Sequence, residues 1–183
     1  IAALKQGIGE NTHVTALSDG ADNCWNVINA IKLFCGSMTS ILDWFHIAMK
    51  VENISLPKDL KERLTRVKWH LWRGNTEYAT IRLEQLVKLA KKDKDIDKIK
   101  KFLRYVINNK ERIVDYRARQ KAGLVFTSNL AESTVESLIN QRCKGQQHMR
   151  WSREGLNPVL QLRAAIHSND WQRKWKDVVL NAA

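Results

Sequence analysis

The sequence predicts a mainly helical fold with a small β component, and three observations support this class. A short run of β-branched and apolar residues at positions 13–17, HVTAL, stops at the turn-forming sequence SDGAD. After Pro57, apolar residues recur at helical spacing over several long segments without a strand signal. The composition, 44% hydrophobic and 27% charged over 183 residues, is that of one soluble globular domain.

The amino-terminal third shows the alternation of an α/β layer. Residues 13–17 predict a strand that ends in an acidic turn. Residues 23–34 follow with the spacing of a helix packed on one face, which Gly36 is expected to end. Residues 39–45, TSILDWF, predict a second strand, and HIAMKVENI begins another helix. Strand, turn, helix and strand in this order are typical of an α/β arrangement.

The middle of the chain predicts a block of helices. Residues 58–70, 76–92 and 95–108 each have helical periodicity, and the sequences RGN and KKDKD separate them. A further helix is expected over residues 109–121, with Gly123 at its end. The many lysines of this block are compatible with a solvated helical surface and equally with a surface that faces DNA.

The carboxy-terminal third predicts two helices. The first is expected to begin near Leu130, with Ser128 or Asn129 as its cap and Glu132 in its first turn. The second is an amphipathic helix over residues 157–179. These patterns divide the chain into three predicted parts, which are residues 1–56, 57–121 and 122–183.

The charge of the chain predicts a polyanionic partner. Lysine and arginine number 31 against 19 aspartates and glutamates, a formal net charge of +12. Nucleic acid is the first candidate, although ribosome-associated, heparin-binding and membrane-surface proteins share such an excess. The three cysteines lack zinc spacing, and no apolar run approaches the roughly 18 residues of a membrane-spanning helix. We therefore expect a cytoplasmic protein that does not bind a membrane.

Three acidic residues stand where a backbone element can aim a side chain. Asp19 follows the first predicted strand, Asp43 lies in the second, and Glu132 lies near the start of a helix. Mg²⁺ prefers such hard oxygen ligands, and phosphodiester chemistry often uses two divalent ions held by carboxylates. Taken one by one, however, acids at these places are more often helix caps or surface residues.

Three segments carry a resemblance to a known family. In order, they are LSDGADNCWNVI, SILDWFHIAMKV and GLVFTSNLAESTVESLINQRCKGQQHMRWSREGLNPVLQLRAAI. Their order and spacing across nearly the whole chain resemble those of bacterial insertion-sequence transposases of the ISKra type, which are DDE enzymes. The resemblance implies a partial RNase H-like α/β core in which residues 57–121 form a helical insertion.

The resemblance also implies a catalytic set of two aspartates and one glutamate that binds Mg²⁺ or Mn²⁺. Asp19 of SDGA matches the second aspartate, and Glu132 of AES matches the glutamate. Glu136 shares a helix face with Glu132 and competes for this role. The resemblance favours Glu132, because four later residues of the family motif then keep their places; these are Arg142, Gly145, Arg150 and Trp151. Asp43 and His46 of LDWFH are implied to support the site, and a histidine satisfied within the core is the alternative for His46.

Basic and aromatic residues after Glu132 fit the handling of DNA, because cations pair with phosphates and an aromatic ring can stack on an unpaired base. The predicted DNA-binding residues are Arg142, Lys144, Arg150, Trp151 and Arg153. Trp69 and Trp72 lie in a similar basic setting within the insertion. Helix packing is the alternative role for these tryptophans.

The implied function is transposition in bacteria. The complete protein would cleave DNA at the ends of an insertion sequence with Mg²⁺ and join them to target DNA, acting as a homo-oligomer. The first catalytic aspartate is implied to lie upstream of Ile1, so this chain alone is expected to bind metal weakly and to leave DNA uncut. Two other functions stay open: a non-catalytic DNA-binding helical module, such as a decayed transposase, and a structure-specific nuclease on the same core.

Overall fold

The computed structural model describes residues 2–5, 7–144 and 150–181. The described chain is mainly helical with a small β component, as predicted, and its two strands form one parallel sheet. It forms two compact units, Ile1–Ser128 and Asn129–Ala183. Among the described helices, none combines the length and apolar character needed to span a membrane.

The sheet of the first unit pairs β1 (His13–Ser18) with β2 (Ser37–Leu42). A short helix, α1 (Ala2–Lys5), precedes it, and α2 (Asp22–Lys32) connects the two strands. Ser18 lies opposite Leu42, so both parallel strands end at the same edge. Asp19 and Asp43, which directly follow the two strands, therefore occupy neighbouring backbone positions at that edge.

Two predictions for this region are wrong in detail. Asp43 lies outside the second strand, because the strand ends at Leu42 and Asp43 caps the next helix, α3 (Trp44–Asn53). Gly36 does not end α2, which stops four residues earlier. Gly36 instead allows a close approach of two backbones, since a β-carbon there would lie 2.0 Å from the carbonyl oxygen of Glu10.

Three long helices follow, as predicted. They are α4 (Lys58–Trp72), α5 (Thr76–Leu89) and α6 (Asp93–Asn108). Each buries an apolar stripe, and in α4 this stripe consists of Leu60, Leu64, Val67 and Leu71. The stripes pack with the sheet and α3 into one hydrophobic core. The helical block is therefore part of the same core as the strands.

The single helix predicted over residues 109–121 is wrong. The structure has a 3₁₀ turn (Lys110–Arg112) and then a short helix, α7 (Tyr116–Lys121). Asp115 begins α7 because its carboxylate accepts a hydrogen bond from the backbone amide of Ala118 at 2.8 Å. The break lets Tyr116 reach full burial in the core.

The second unit begins with a helical run of three parts. These are α8 (Asn129–Val135), a π-helical turn (Glu136–Asn140) and α9 (Gln141–Cys143). The single tail helix predicted over residues 157–179 is wrong, because α10 (Arg153–His167) and α11 (Trp171–Asn181) are separate helices. Asn169, between them, has a positive φ of 58°, a conformation that asparagine tolerates and that interrupts a helix.

Gly20 offers a test of how tightly the edge of the sheet is packed. Its φ is +95°, and a β-carbon there would lie 2.8 Å from the ring of Tyr105 and 3.0 Å from Leu42. We expect Gly20→Ala to lower the free energy of unfolding by about 2–4 kcal/mol, from backbone strain and overpacking together. Gly123→Ala is the matched control, since Gly123 also has a positive φ but has no atom within 4 Å of the added carbon. Urea denaturation should show that the control lowers the free energy of unfolding by about 1 kcal/mol. If both variants lower this free energy equally, the packing argument is contradicted.

Candidate active site

Asp19 lies in a fixed turn at the end of β1. Its Oδ1 accepts hydrogen bonds from the amide of Ala21 at 2.9 Å and from the hydroxyl of Ser18 at 3.4 Å. Its Oδ2 accepts no hydrogen bond from the described residues, and the residue is half-buried. Asp19 therefore has one oriented oxygen and one that is available to a ligand.

Two tyrosines hold the ends of the two strands. The hydroxyl of Tyr105, on α6, donates to the backbone carbonyl of Asp19 at 2.9 Å. The hydroxyl of Tyr116, on α7, donates to the carbonyl of Leu42 at 2.7 Å. Burial raises the pKa of both phenols well above the ordinary value, and the nearby charge of Asp43 raises the pKa of each further. Both hydroxyls therefore remain donors at physiological pH.

The turn after β1 is also braced through α2. The indole nitrogen of Trp25 donates to the side-chain oxygen of Asn109 at 3.0 Å in the buried interior. The amide nitrogen of Asn109 donates in turn to the carbonyl of Tyr105. The guanidinium carbon of Arg112 lies over the indole ring of Trp25, 4.3 Å from the ring centroid. The end of α6 is thereby fixed against the helix that follows Asp19.

Asp43, at the end of β2, is the most heavily hydrogen-bonded carboxylate of the first unit. It is 1% exposed. Its Oδ1 accepts from the backbone amides of Phe45 at 3.1 Å and Ser128 at 3.0 Å, and its Oδ2 accepts from His46 Nδ1 at 2.7 Å and from the hydroxyl of Ser128. An ionised carboxylate cannot donate, so Nδ1 of His46 carries the proton. Four donors occupy the acceptor positions of Asp43, which leaves it little capacity to bind a metal.

The charge state of Asp43 follows from these contacts. Burial by itself raises the pKa of the carboxyl group, but the hydrogen bonds from Ser128, His46 and Phe45 outweigh it and hold the pKa below its ordinary value. Asp43 is therefore ionised at neutral pH. It joins the end of β2, the start of α3 and the segment that leads into α8. The predicted cap Ser128 uses its hydroxyl for this contact.

The lowered pKa of Asp43 gives a pH-dependent prediction. A carboxyl group whose pKa is lower in the folded state stabilises the fold above its unfolded pKa, about 3.9, and loses this effect as the pH falls through its folded pKa. We expect Asp43→Asn to cost about 3 kcal/mol at pH 7. Thermal unfolding of both proteins between pH 7 and pH 2 should show this difference shrinking below about pH 4. A difference that stays constant over this range would contradict the role of the charge.

Glu132 and Glu136 differ in their surroundings within the second unit. Glu132 lies in the first turn of α8, is exposed, and makes no hydrogen bond or ion pair with the described residues. Glu136 begins the π turn, and its Oε2 accepts a hydrogen bond from the side chain of Asn140 at 2.8 Å. Glu132 is therefore the freer of the two carboxylates.

The π turn has a support that sequence reasoning missed. In this turn the amide of Gln141 donates to the carbonyl of Glu136, five residues earlier. Arg163, on α10, donates from Nε to the carbonyl of Leu138 at 2.8 Å and from Nη2 to that of Ser137 at 2.7 Å. Arg163 lies in LQLRAAI, the end of the third segment that carries the family resemblance, but the sequence indicates no role for it. Single π turns within α-helices are frequent at functional sites.

Arg163 can be tested through the helix that it supports. Arg163→Met keeps a long side chain but removes both charged hydrogen bonds, so we expect a loss of about 2–3 kcal/mol in unfolding free energy. The amides of residues 137–143 should also exchange hydrogen faster. Arg153→Met is the control, because Arg153 is exposed at the start of the same helix and makes no ion pair with the described residues. Unchanged exchange in Arg163→Met would show that the turn does not depend on this contact.

Two of the predicted DNA-binding residues, Arg142 and Trp151, contact each other, and the other three are exposed cations. The guanidinium carbon of Arg142 lies 5.7 Å from the ring centroid of Trp151. Lys144, Arg150 and Arg153 are exposed. Residues 145–149, including the motif glycine at 145, lie outside the described residues.

The two tryptophans of α4 have different surroundings. Trp72 packs against Trp44, with ring centroids 4.7 Å apart, and against Tyr116, so its role is packing. Trp69 is 49% exposed, and the ammonium of Lys68 lies 5.4 Å from its ring. Trp69 therefore remains available to a partner.

Mg²⁺ can be bound by protein ligands alone or by a few carboxylates together with water and substrate phosphates, and the described residues fit the second mode better. Within the described ranges, no three His, Cys, Asp or Glu side chains are grouped to hold a metal ion. A cage made by the protein alone therefore does not fit them. Mg²⁺ is more often held by one or two carboxylates together with waters and substrate phosphates. Asp19 in the first unit and Glu132 in the second each have a carboxylate oxygen without a hydrogen bond from the described residues.

Comparisons with known proteins give one match. A family model described as "Uncharacterised protein family (UPF0236)" matches residues 12–178, which is most of the chain. Neither a curated protein nor a solved structure matches.

Proposed function

Because the chain belongs to the uncharacterised protein family UPF0236, we propose its function from the site itself. The chain is the carboxy-terminal part of the catalytic domain of a bacterial insertion-sequence DDE transposase. The complete enzyme cleaves DNA at the ends of the element and joins the freed ends to target DNA. Asp19 and Glu132 hold Mg²⁺ or Mn²⁺ for both steps.

The observation that carries the proposal is the hydrogen-bonded link between Asp43 and Ser128. Asp19 and Asp43 follow neighbouring ends of a parallel strand pair, and Asp43 binds both the amide and the hydroxyl of Ser128. Glu132 follows Ser128 by four residues, which span at most about 15 Å of chain. Ser128, the last residue before α8, is thereby held at the edge of the sheet where Asp19 lies. We propose that Glu132 reaches the same metal ion as Asp19.

The order of the elements also supports an RNase H-like core. A parallel strand pair with a helical crossover comes first, a block of helices follows, and the helix with the third acid comes after it. The two tyrosines explain why such an insertion would matter for catalysis. Tyr105 and Tyr116 belong to the insertion, and they hold the carbonyls at the two strand ends.

Each residue then has a chemical task in phosphodiester cleavage and strand transfer. Bound Mg²⁺ would supply charge neutralisation at the phosphate and lower the pKa of water. Asp19 and Glu132 provide its oxygen ligands, while Asp43 and His46 position Ser128. Arg142, with Lys144, Arg150 and Arg153, neutralises DNA phosphates, and Trp151 stacks on an unpaired base. No protein side chain forms a covalent bond with DNA.

The assignment of the ligands can be tested with Mn²⁺ and duplex DNA. We expect Asp19→Asn and Glu132→Gln each to weaken Mn²⁺ binding at least about tenfold, measured by the electron paramagnetic resonance of free Mn²⁺. Glu136→Gln is the matched control and should leave Mn²⁺ affinity unchanged. In the complete transposase, Asp19→Asn and Glu132→Gln should abolish strand transfer and leave DNA affinity nearly intact. If Glu136→Gln has the larger effect on Mn²⁺, the third acid is Glu136.

A second candidate function is a DNA-binding helical module without catalysis. The lack of a three-ligand metal group among residues 2–5, 7–144 and 150–181 favours it. This module would bind DNA in a salt-sensitive way. It would show no metal-dependent nicking of DNA even with sequence upstream of Ile1 restored, whereas the transposase would nick element ends.

A further inference from the structure

A basic cleft lies between α4 and α5, and the proposed mechanism does not use it. Its volume is about 160 Å³. Each helix contributes residues at the spacing i, i+3, i+4 and i+7, which places four side chains on one helix face. The lining residues of α4 are Arg63, Arg66, Val67 and His70, and those of α5 are Arg82, Gln85, Leu86 and Leu89. Val67 and Leu86 are buried and form an apolar floor.

The arginines of this cleft have no anionic partner in the described chain. None of Arg63, Arg66 and Arg82 forms an ion pair with a described residue. Three like charges around one small cleft repel each other, and an anion placed among them would relieve this repulsion. Guanidinium groups bind phosphate oxygens through paired N–H donors.

Contacts with neighbouring side chains fix the position of Arg82 in the cleft. The ring of Tyr78 lies 5.2 Å from that of His70, and the guanidinium carbon of Arg82 lies 5.5 Å from the Tyr78 centroid. Arg82 also donates to the side-chain oxygen of Gln85 at 3.1 Å. These contacts hold Arg82 in place, so binding an anion there costs less side-chain entropy.

We propose that this cleft is a phosphate-binding site for the DNA backbone, formed by Arg63, Arg66 and Arg82. The inference rests on DNA as the substrate of the proposed function, but not on its metal chemistry. The chain would hold DNA at two places, through the cleft in the insertion and through the basic residues after Glu132. The cleft contacts phosphates and would not read base sequence.

Salt-dependent binding of fluorescent duplex DNA to the 183-residue chain tests this site. The cleft variant combines Arg63→Gln, Arg66→Gln and Arg82→Gln, all at exposed helical positions where glutamine is well tolerated. The control variant combines Lys88→Gln, Lys91→Gln and Lys100→Gln, which removes the same charge at exposed positions outside the cleft. We expect the cleft variant to bind DNA at least about tenfold more weakly and to lower the slope of log affinity against log salt by about 1 or more. The control should change affinity about twofold or less.

Three outcomes would overturn the proposal. DNA affinity unchanged in the cleft variant would show that the cleft does not contact DNA, and equal losses in both variants would show that net charge alone matters. The third outcome concerns the binding of free inorganic phosphate to the cleft, which nuclear magnetic resonance can measure through the ring signals of His70. If inorganic phosphate saturates the cleft while the cleft variant binds DNA normally, the ligand is a free anion. Loss of Mn²⁺ binding in Asp19→Asn is independent of these results, so the two proposals can fail separately.

Discussion

The buried carboxylate of Asp43 is the interaction on which the candidate site depends. Removing a charge from water is costly, and the cost is offset only when every acceptor position is filled. Here the donors come from the start of α3 and from Ser128, which lies 85 residues away in the chain. One charged group thus closes a long loop, and the whole helical block is enclosed within it. If Ser128 moved away, this buried carboxylate would lose two of its four donors and keep only those from Phe45 and His46.

The helical block stabilises the sheet, whatever activity the block has of its own. Two strands alone are at most marginally stable in water, so this pair requires packing from elsewhere. Tyr105 and Tyr116 provide more than apolar area, because each also satisfies a backbone carbonyl at a strand end. The helical block and the edge of the sheet consequently form one structural unit, and changes in the helices will affect the position of Asp19.

The sequence predicts the long elements well and the junctions poorly. Periodicity places α4, α5 and α6 within a few residues, since each buries a full apolar stripe. It fails at residues 109–121 and 157–179, where Asp115 starts a helix and Asn169 takes a positive φ; both are local effects of one side chain. The contact of Asp43 with Ser128 and that of Arg163 with the π turn could not be predicted, because the partners lie 85 and about 25 residues away. The positions of Asp19 and Glu132 at the ends of predicted elements mark them as candidates, and the family resemblance implies their role as ligands; their convergence stays a prediction.

The π turn has a consequence for the helical run that contains Glu132. Each hydrogen-bonded ring in such a turn closes one residue later than in an α-helix, so the run carries the equivalent of one inserted residue. One residue corresponds to about 100° of rotation around a helix axis. The side chains after the turn, Arg142 among them, therefore project in a different direction from the one that an unbroken α-helix would give them. Deleting one residue between positions 136 and 140 would rotate the basic end of this helix relative to its acidic end. If the deleted residue were Leu138, every charge in the protein would stay the same.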